Sequence, residues 1–352
     1  GSGEDRKIGP IMWQAIWIAV IATPITMLPM FFADSIFEAA GHTAHVREQE
    51  TIYFRILCFS TAGMLVSHAM STFYTGQGRT GVVMLVDCSS VALNVLLDYL
   101  WIFGKGGFPA MGIAGGAWAT FVAISVKVVI YWWLLTRTQN VVRFRSMRWA
   151  FSWQRCKRLL AFGGPAGLQM LLEVAGFTAF VFLVGQLGKS ELAATNLAFS
   201  IASLAFMPVF GLSTAVAILV GQQLGRNQPN LAARGTWTSL WLATAYMGLV
   251  SALYIFVPDW FLGIYFSEDP SEYNREIHAT AIVLLRYVAA YNILDALNLV
   301  FVNAIKGAGD TFFVLCISLA MAVLLAVCTW IARSVFDAGL HTCWTMITVW
   351  IW

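Results

Sequence analysis

Ten apolar segments follow one another along the chain, and this succession constrains the fold more than any motif does. Their approximate bounds are 11–33, 52–74, 81–104, 112–135, 159–187, 191–223, 235–257, 279–305, 312–335 and a shorter 339–352. About 20 apolar residues carry a helix across the hydrocarbon layer of a bilayer. No strand-period alternation competes with these segments, and open sheets facing lipid leave backbone N–H and C=O groups without partners. Hydrophobic residues make up 59% of the chain and charged ones 11%, against about a quarter charged in soluble domains. Mean hydropathy is +0.74. The expectation is an all-α polytopic membrane protein whose first partner is the lipid bilayer. A net charge of +3 is small and gives no reason to expect nucleic acid.

The loops orient the spans. Residues 137–158 hold seven basic side chains and no acidic one, which marks a cytoplasmic loop. Counting outward from it, Arg6, Lys7, Arg79, Arg226, Arg234 and Lys306 all fall on the same side. The acid-rich stretches 34–50 and 268–277 fall on the other. Arg55 and Arg286 lie near outer helix ends, where they are expected to snorkel to the headgroups.

The chain also repeats itself. Trp13-x-x-x-Trp17-Ile-Ala matches Trp237-x-x-x-Trp241-Leu-Ala, Arg55 matches Arg286, and Gly76-Gln-Gly78-Arg-Thr80 matches Gly307-Ala-Gly309-Asp-Thr311. The matches keep their order at a slowly drifting offset, as loop insertions would cause. On this register the first copy lacks counterparts of residues 159–224, and the last span stops short. The expectation is a twelve-span protein of two parallel six-helix pseudo-repeats, related by an axis along the membrane normal, with about ten spans present. The domains follow: an incomplete N-terminal lobe over 1–136, a basic linker over 137–158 and a C-terminal lobe over 159–352.

Within this apolar frame a few polar residues stand out. Glu173 is the single charge in the stretch 162–185. A carboxylate at that depth costs at least about 2.5–3.5 kcal/mol on insertion scales, so it should face protein or water and have a partner. Gln169 sits one turn before it, and Asn196 lies at depth in the next segment. In the eighth segment Tyr291, Asn292, Asp295 and Asn298 are spaced for one helical face. A carboxylate flanked by a phenol and amides can hold a proton or a hard cation such as Na⁺. The first-copy positions matching Tyr291 and Asp295 are Ser60 and Met64, so the acidic site belongs to one repeat only. Glu173 and Asp295 are expected to converge. Asp87, Asp98 and Lys127 are further charges at depth; Asp98, near the outer end of its span, is read as structural, and Lys127 has no assigned place.

Several soluble-enzyme patterns fail in context. Gly76-x-Gly78-x-x-Gly81 joins two membrane spans with no strand before it, which removes the geometry of a dinucleotide turn. The Gly188-Lys189-Ser190 end of a phosphate loop lacks the glycine five residues earlier, where Leu183 stands. None of the six cysteines forms a CxxC pair, and no transition-metal site, cofactor or catalytic arrangement is expected.

Read in order, these residues resemble the multidrug and toxic compound extrusion (MATE) family in its NorM-like branch. The likeness runs through the Trp13 region, Phe73–Thr80, Asn94–Gly112, Gly164-Pro165 with Leu172-Glu173, Leu192–Asn196, Pro208–Gly225, and Tyr291-x-x-x-Asp295-Ala followed by Gly307-x-Gly309-Asp310-Thr311. The resemblance implies a twelve-helix, V-shaped antiporter that exports cationic drugs in exchange for Na⁺ or H⁺. It also implies a second-lobe cation site that corresponds by motif to Glu173, Tyr291 and Asp295. Gln169, Asn196, Asn292 and Asn298 are taken as substrate-binding or supporting polar groups. The family's first-helix aspartate lies in a helix that this reading places outside the chain. The expected setting is a multi-pass protein, a monomer, in a bacterial inner membrane with 137–158 cytoplasmic; the expected partners are small organic cations. Two alternatives share the composition. One is a lipid-linked oligosaccharide flippase of the wider superfamily, and the other an integral membrane enzyme, for which no catalytic cluster is visible.

Overall fold

The computed structural model describes residues 5–39, 43–263, 265, 272–336 and 340–351, and among them every regular element is a helix. The chain divides into two compact units, Gly3–Leu160 and Ala161–Trp352. In the first, α1 (Ile8–Met27), α2 (Ala33–Ala39), α3 (Ala44–Thr75), α4 (Thr80–Ile102), α5 (Gly112–Thr136) and α6 (Thr138–Phe144) follow in order. α7 (Trp153–Gly185) begins at the end of the first unit and leads into the second. There it is followed by α8 (Lys189–Gly225), α9 (Pro229–Phe256), α10 (Pro258–Leu262), α11 (Glu272–Ala308), α12 (Thr311–Phe336) and α13 (Leu340–Ile351). All ten apolar segments are helical. Eight stretches are long and apolar enough to cross a membrane among the described residues; α12 adds an apolar run over Thr311–Leu324, and α13 has 12 residues. The chain is an all-α polytopic membrane protein.

Proline acts differently in the two units. Beyond Pro24, α1 gives way to a 3-10 turn over Leu28–Phe32 with Pro29 in its first turn, where a missing N–H costs least. α8 instead runs unbroken through Pro208 and Gly211. Of residues 34–50, expected as an outer loop, 34–39 belong to α2 and 44–50 begin α3. Arg55 therefore does not snorkel freely: it pairs with Asp34 at 2.7 Å, an exposed contact of small energetic weight.

The two copies of the repeated motif turn alike. Gly78 (φ 76°) and Gly309 (φ 97°) both adopt the left-handed conformation, which glycine enters without steric cost, so the GxG pattern is a helix-to-helix turn in each copy. The neighbour pattern also recurs. α3 packs on α1 and α5 while α4 packs on α5; α11 packs on α9 and α13 while α12 packs on α13. Residues 137–158, expected as a linker, fold as part of the first unit: α6 and the buried Ser146 pack beneath α1 and α5.

In the second unit α11 is central, packed on α8 and α9. Its core includes Ala281, Leu284, Leu285, Val288, Ala296 and Val300, all at most half-turn variations of one buried stripe. At the end of α11 the backbones of α8 and α11 come so close that a Cβ on Gly307 would overlap the Ala217 peptide. Small residues permit such approach between membrane helices. Gly307→Ala should therefore lower stability by about 1–3 kcal/mol. Gly211→Ala, with nothing within 4 Å of its added carbon, should leave it unchanged or raise it; thermal unfolding in detergent measures both.

Candidate functional site

Glu173 stands on α7 and Asp295 on α11, both in the second unit. Glu173 is exposed on α7, and its charge lies within electrostatic reach of Asp295, as that of Asp295 does of the Tyr291 phenol. Tyr291 is buried and Asp295 half-buried on the adjoining turn. Gln169, only 2% exposed, donates its Nε2 to Glu173 Oε1 at 2.5 Å across one turn of α7. Its other end, Oε1, is buried without a hydrogen-bond partner. An amide that spends its donor on a carboxylate turns its carbonyl oxygen outward, and leaving that acceptor unsatisfied costs about 1–3 kcal/mol. Two carboxylates and an open amide oxygen make an arrangement short of positive charge. Lys306, three turns along α11 from Asp295, lies within electrostatic reach of Glu173.

The structure does not bring the remaining polar candidates to this point. Asn292 is buried, but its Nδ2 donates to Ser251 Oγ on α9 at 3.3 Å; a step of 100° from Tyr291 carries it round to the flank that packs on α9. Asn298 is exposed on α11, and Asn196 is exposed on α8 beside the buried Ala194, Thr195 and Ala198. Among the described residues neither has a polar contact with Glu173 or Asp295. Sequence spacing gave all four residues of α11 one face, whereas packing on two sides of that helix separates them.

A second polar system was not assembled from the sequence. α4 and α5 pack antiparallel, and their polar residues meet rung by rung. Lys127 Nζ pairs with Asp87 Oδ1 at 2.8 Å, which also accepts from Tyr131 Oη at 3.3 Å. Ser90 Oγ donates to Ala123 O at 3.0 Å, and Asn94 Nδ2 to Thr120 Oγ1 at 3.4 Å. At the outer end Asp98 faces Gly116, with its Oδ1 buried and without a hydrogen-bond donor. Lys127 is thus placed: it neutralises Asp87. Asp98 is less plainly structural than its position in the sequence made it. The signal that could have found this seam is the recurrence of polar residues at 87, 90, 94 and 98, with Lys127 and Thr120 as the polar partners on α5 and small residues, Ala123 and Gly116, between and beyond them.

The second unit carries Asp295 half-buried on α11 and Glu173 exposed on α7, in a fold whose regular elements, among the described residues, are all helices. A family model described as MatE matches residues 1–100 and 165–331, and the chain belongs to that family. Among curated relatives, a probable multidrug resistance protein NorM of Mesorhizobium japonicum is 27% identical over 308 residues, covering 87% of this chain and 66% of the relative. A multidrug resistance protein MdtK of Yersinia pseudotuberculosis is 26% identical over 314 residues, covering 88% of this chain and 67% of the relative. The chain therefore spans about two thirds of the length of these proteins, and slightly less for the first. Its relatives are transporters, not enzymes. A solved outward-facing multidrug resistance MATE family transporter of the MOP superfamily superposes with a TM-score of 0.86 at 18% identity, over 99% of this chain and 77% of that one. A MOP superfamily transporter from Pyrococcus furiosus, described as having a binding pocket of reversed polarity that suggests a different function, superposes equally well at 20% identity (TM-score 0.86, 99% of this chain and 76% of that one). At such identity the likeness is one of fold, and fold alone does not fix cargo.

The different settings of the asparagines give a direct check. Asn292→Ala should lower stability by about 1 kcal/mol through loss of the α9–α11 hydrogen bond. Asn196→Ala should change it by less than about 0.5 kcal/mol, and thermal unfolding of the two variants compares them.

Proposed function

We propose that the protein is a cation-coupled antiporter that exports amphipathic organic cations across a bacterial inner membrane, acting as a monomer with residues 137–158 on the cytoplasmic side. What supports this reading is that Glu173 on α7 and Asp295 on α11 lie within electrostatic reach of one another, with Gln169 bonded to Glu173 and its own oxygen unpartnered. The names of the NorM and MdtK relatives support it.

The physical basis is electrostatic. Two carboxylates in mutual reach resist ionising together when water is scarce, and a proton or Na⁺ relieves them. Na⁺ would take oxygens from Asp295, Glu173 and Gln169, all hard donors; a proton would be shared between the carboxylates, with the Tyr291 phenol positioned to accept or donate beside Asp295. Either ion removes the repulsion between α7 and α11. Loss of the ion restores it, and the pair then favours a different packing of these helices or an organic cation in the ion's place. Lys306 sets the background: its charge draws Glu173 away from Asp295 when no ion is bound. Alternating access follows if the ion-bound and ion-free packings open to opposite sides.

The test is efflux of a fluorescent organic cation from liposomes containing the protein, with a Na⁺ gradient and a proton gradient imposed separately. One gradient should drive efflux, and Glu173→Gln or Asp295→Asn should reduce it at least tenfold while leaving the fold intact. Asn196→Ala should transport normally. If Na⁺ is the ion, it should also protect the wild type against heat by about 2.7 kcal/mol at a hundredfold excess over its Kd, and the protection should vanish in Asp295→Asn. Efflux that survives both carboxylate substitutions, or that neither gradient drives, overturns the proposal.

A further inference from the structure

The repeated Trp-x-x-x-Trp motif is used differently in its two copies. On α9, Trp237 and Trp241 are 55% and 72% exposed. On α1 both indoles are engaged: Trp13 Nε1 donates to Ser146 O at 2.6 Å and Trp17 Nε1 to Trp149 O at 2.9 Å. Between them the buried Gln14 donates to Ala150 O at 3.0 Å and accepts from Ser152 N at 2.9 Å. Ser146 ties the same segment to α5, its hydroxyl donating to Leu135 O at 2.7 Å. Arg145 is held at φ 52°, a region that residues with a side chain seldom enter, and its carbonyl lies where Gly9 has no Cβ to obstruct it. Three side chains of α1 and one carbonyl of α5 thus fix the backbone over 145–152.

This segment and α1 enclose an open cleft of about 770 Å³ whose walls include Trp17, Arg145, Met147, Arg148, Trp149 and Phe151. The walls are mostly apolar, and the charge on them is all positive. Arg143 beside the cleft is already paired with Asp5 at 2.7 Å, and Arg137 lies over the Trp133 ring at 4.2 Å. Among the described residues no carboxylate pairs with Arg145 or Arg148. The cleft lies between the first half of α1 and the basic segment that follows α5, and Trp149, Phe151 and Trp153 stand 65%, 50% and 66% exposed in that segment. Aromatic side chains so placed mark the headgroup level.

We propose that this cleft binds an anionic phospholipid of the cytoplasmic leaflet. The two guanidinium groups take the phosphodiester, a geometry for which arginine is better suited than lysine. Trp17, Met147 and Phe151 take the glycerol and the first acyl carbons. An anionic head joined to an apolar tail matches both parts of the cleft, whereas a free phosphate satisfies only one. The proposal rests on the orientation that places 137–158 at the cytoplasmic surface and is independent of ion coupling at Glu173 and Asp295.

Native mass spectrometry of the detergent-purified protein, titrated with phosphatidylglycerol or phosphatidylcholine, tests it. The wild type should retain one phosphatidylglycerol in preference to phosphatidylcholine. Arg145→Gln/Arg148→Gln should weaken that binding at least tenfold. Met147→Trp, which fills the apolar end and keeps both charges, should do the same. Arg155→Gln/Arg158→Gln, in the same basic stretch but outside the cleft, should bind as the wild type does, and glycerol 1-phosphate should not displace the lipid. Should the double substitution at 145 and 148 disturb the left-handed turn, Arg148→Gln alone and Met147→Trp carry the comparison. Equal loss in both double variants would reduce the effect to diffuse charge attraction and overturn the proposal. So would unaltered binding by Met147→Trp, displacement by glycerol 1-phosphate, or equal retention of the two lipids. Detergent imposes neither gradient nor sidedness, so failure here leaves the transport reading standing, and failed transport leaves this one.

Discussion

In the hydrocarbon layer of a bilayer a polar group without a partner inside the protein has none at all, and the placement of several polar side chains among the described residues answers to that constraint. Most answers are local closures. Lys127 neutralises Asp87, Asn292 finds Ser251, and Asn303 Nδ2 reaches Ser213 Oγ at 3.2 Å. Each joins two helices and so helps to fix which helix packs on which. The exceptions are informative for the same reason. Among the described residues Gln169 Oε1 and Asp98 Oδ1 are buried acceptors without donors, and Gln223 Oε1 and Thr51 Oγ1 are likewise buried without partners. Of these, Gln169 is the residue whose amide nitrogen is bonded to a carboxylate, Glu173.

The span pattern was legible because hydropathy acts over twenty residues at a time and needs no tertiary information. Glu173 and Asp295 stand out as candidates in the sequence because a carboxylate at depth is costly, and that cost is a property of the sequence alone; Tyr291 joins them only by its spacing from Asp295. Asn292, Asn196 and Asn298 were not, since an amide at depth is cheap enough to serve either as a site or as a tie between helices. Only the packing of α9 against α11 tells which flank Asn292 faces. Lys127 could not be placed from its own helix because its partner lies on α4, and the pairing depends on an antiparallel register that no single segment contains.

The basic stretch 137–158 shows a different limit. Its charge marks a side of the membrane, and a run of seven basic residues without an acid reads as a solvated connection. What folds it is a set of bonds from Trp13, Gln14 and Trp17 to its backbone carbonyls and amides. Backbone acceptors leave no trace in sequence, so the loop's structure was invisible although half of each bond was in view as the Trp-x-x-x-Trp motif.

Repetition makes these differences more telling. The two copies share the left-handed glycine turn and the order of helix packing, so the scaffold imposes the same demands on both. Where the second copy has Tyr291 and Asp295, the first has Ser60, whose hydroxyl turns back to Ile56 O, and Met64. The first copy carries its carboxylates on α4 instead, one of them neutralised by a lysine. The positions that diverge between structurally matched helices are those that the fold does not need. The charge of Asp295 is therefore not a demand of the packing that the two copies share.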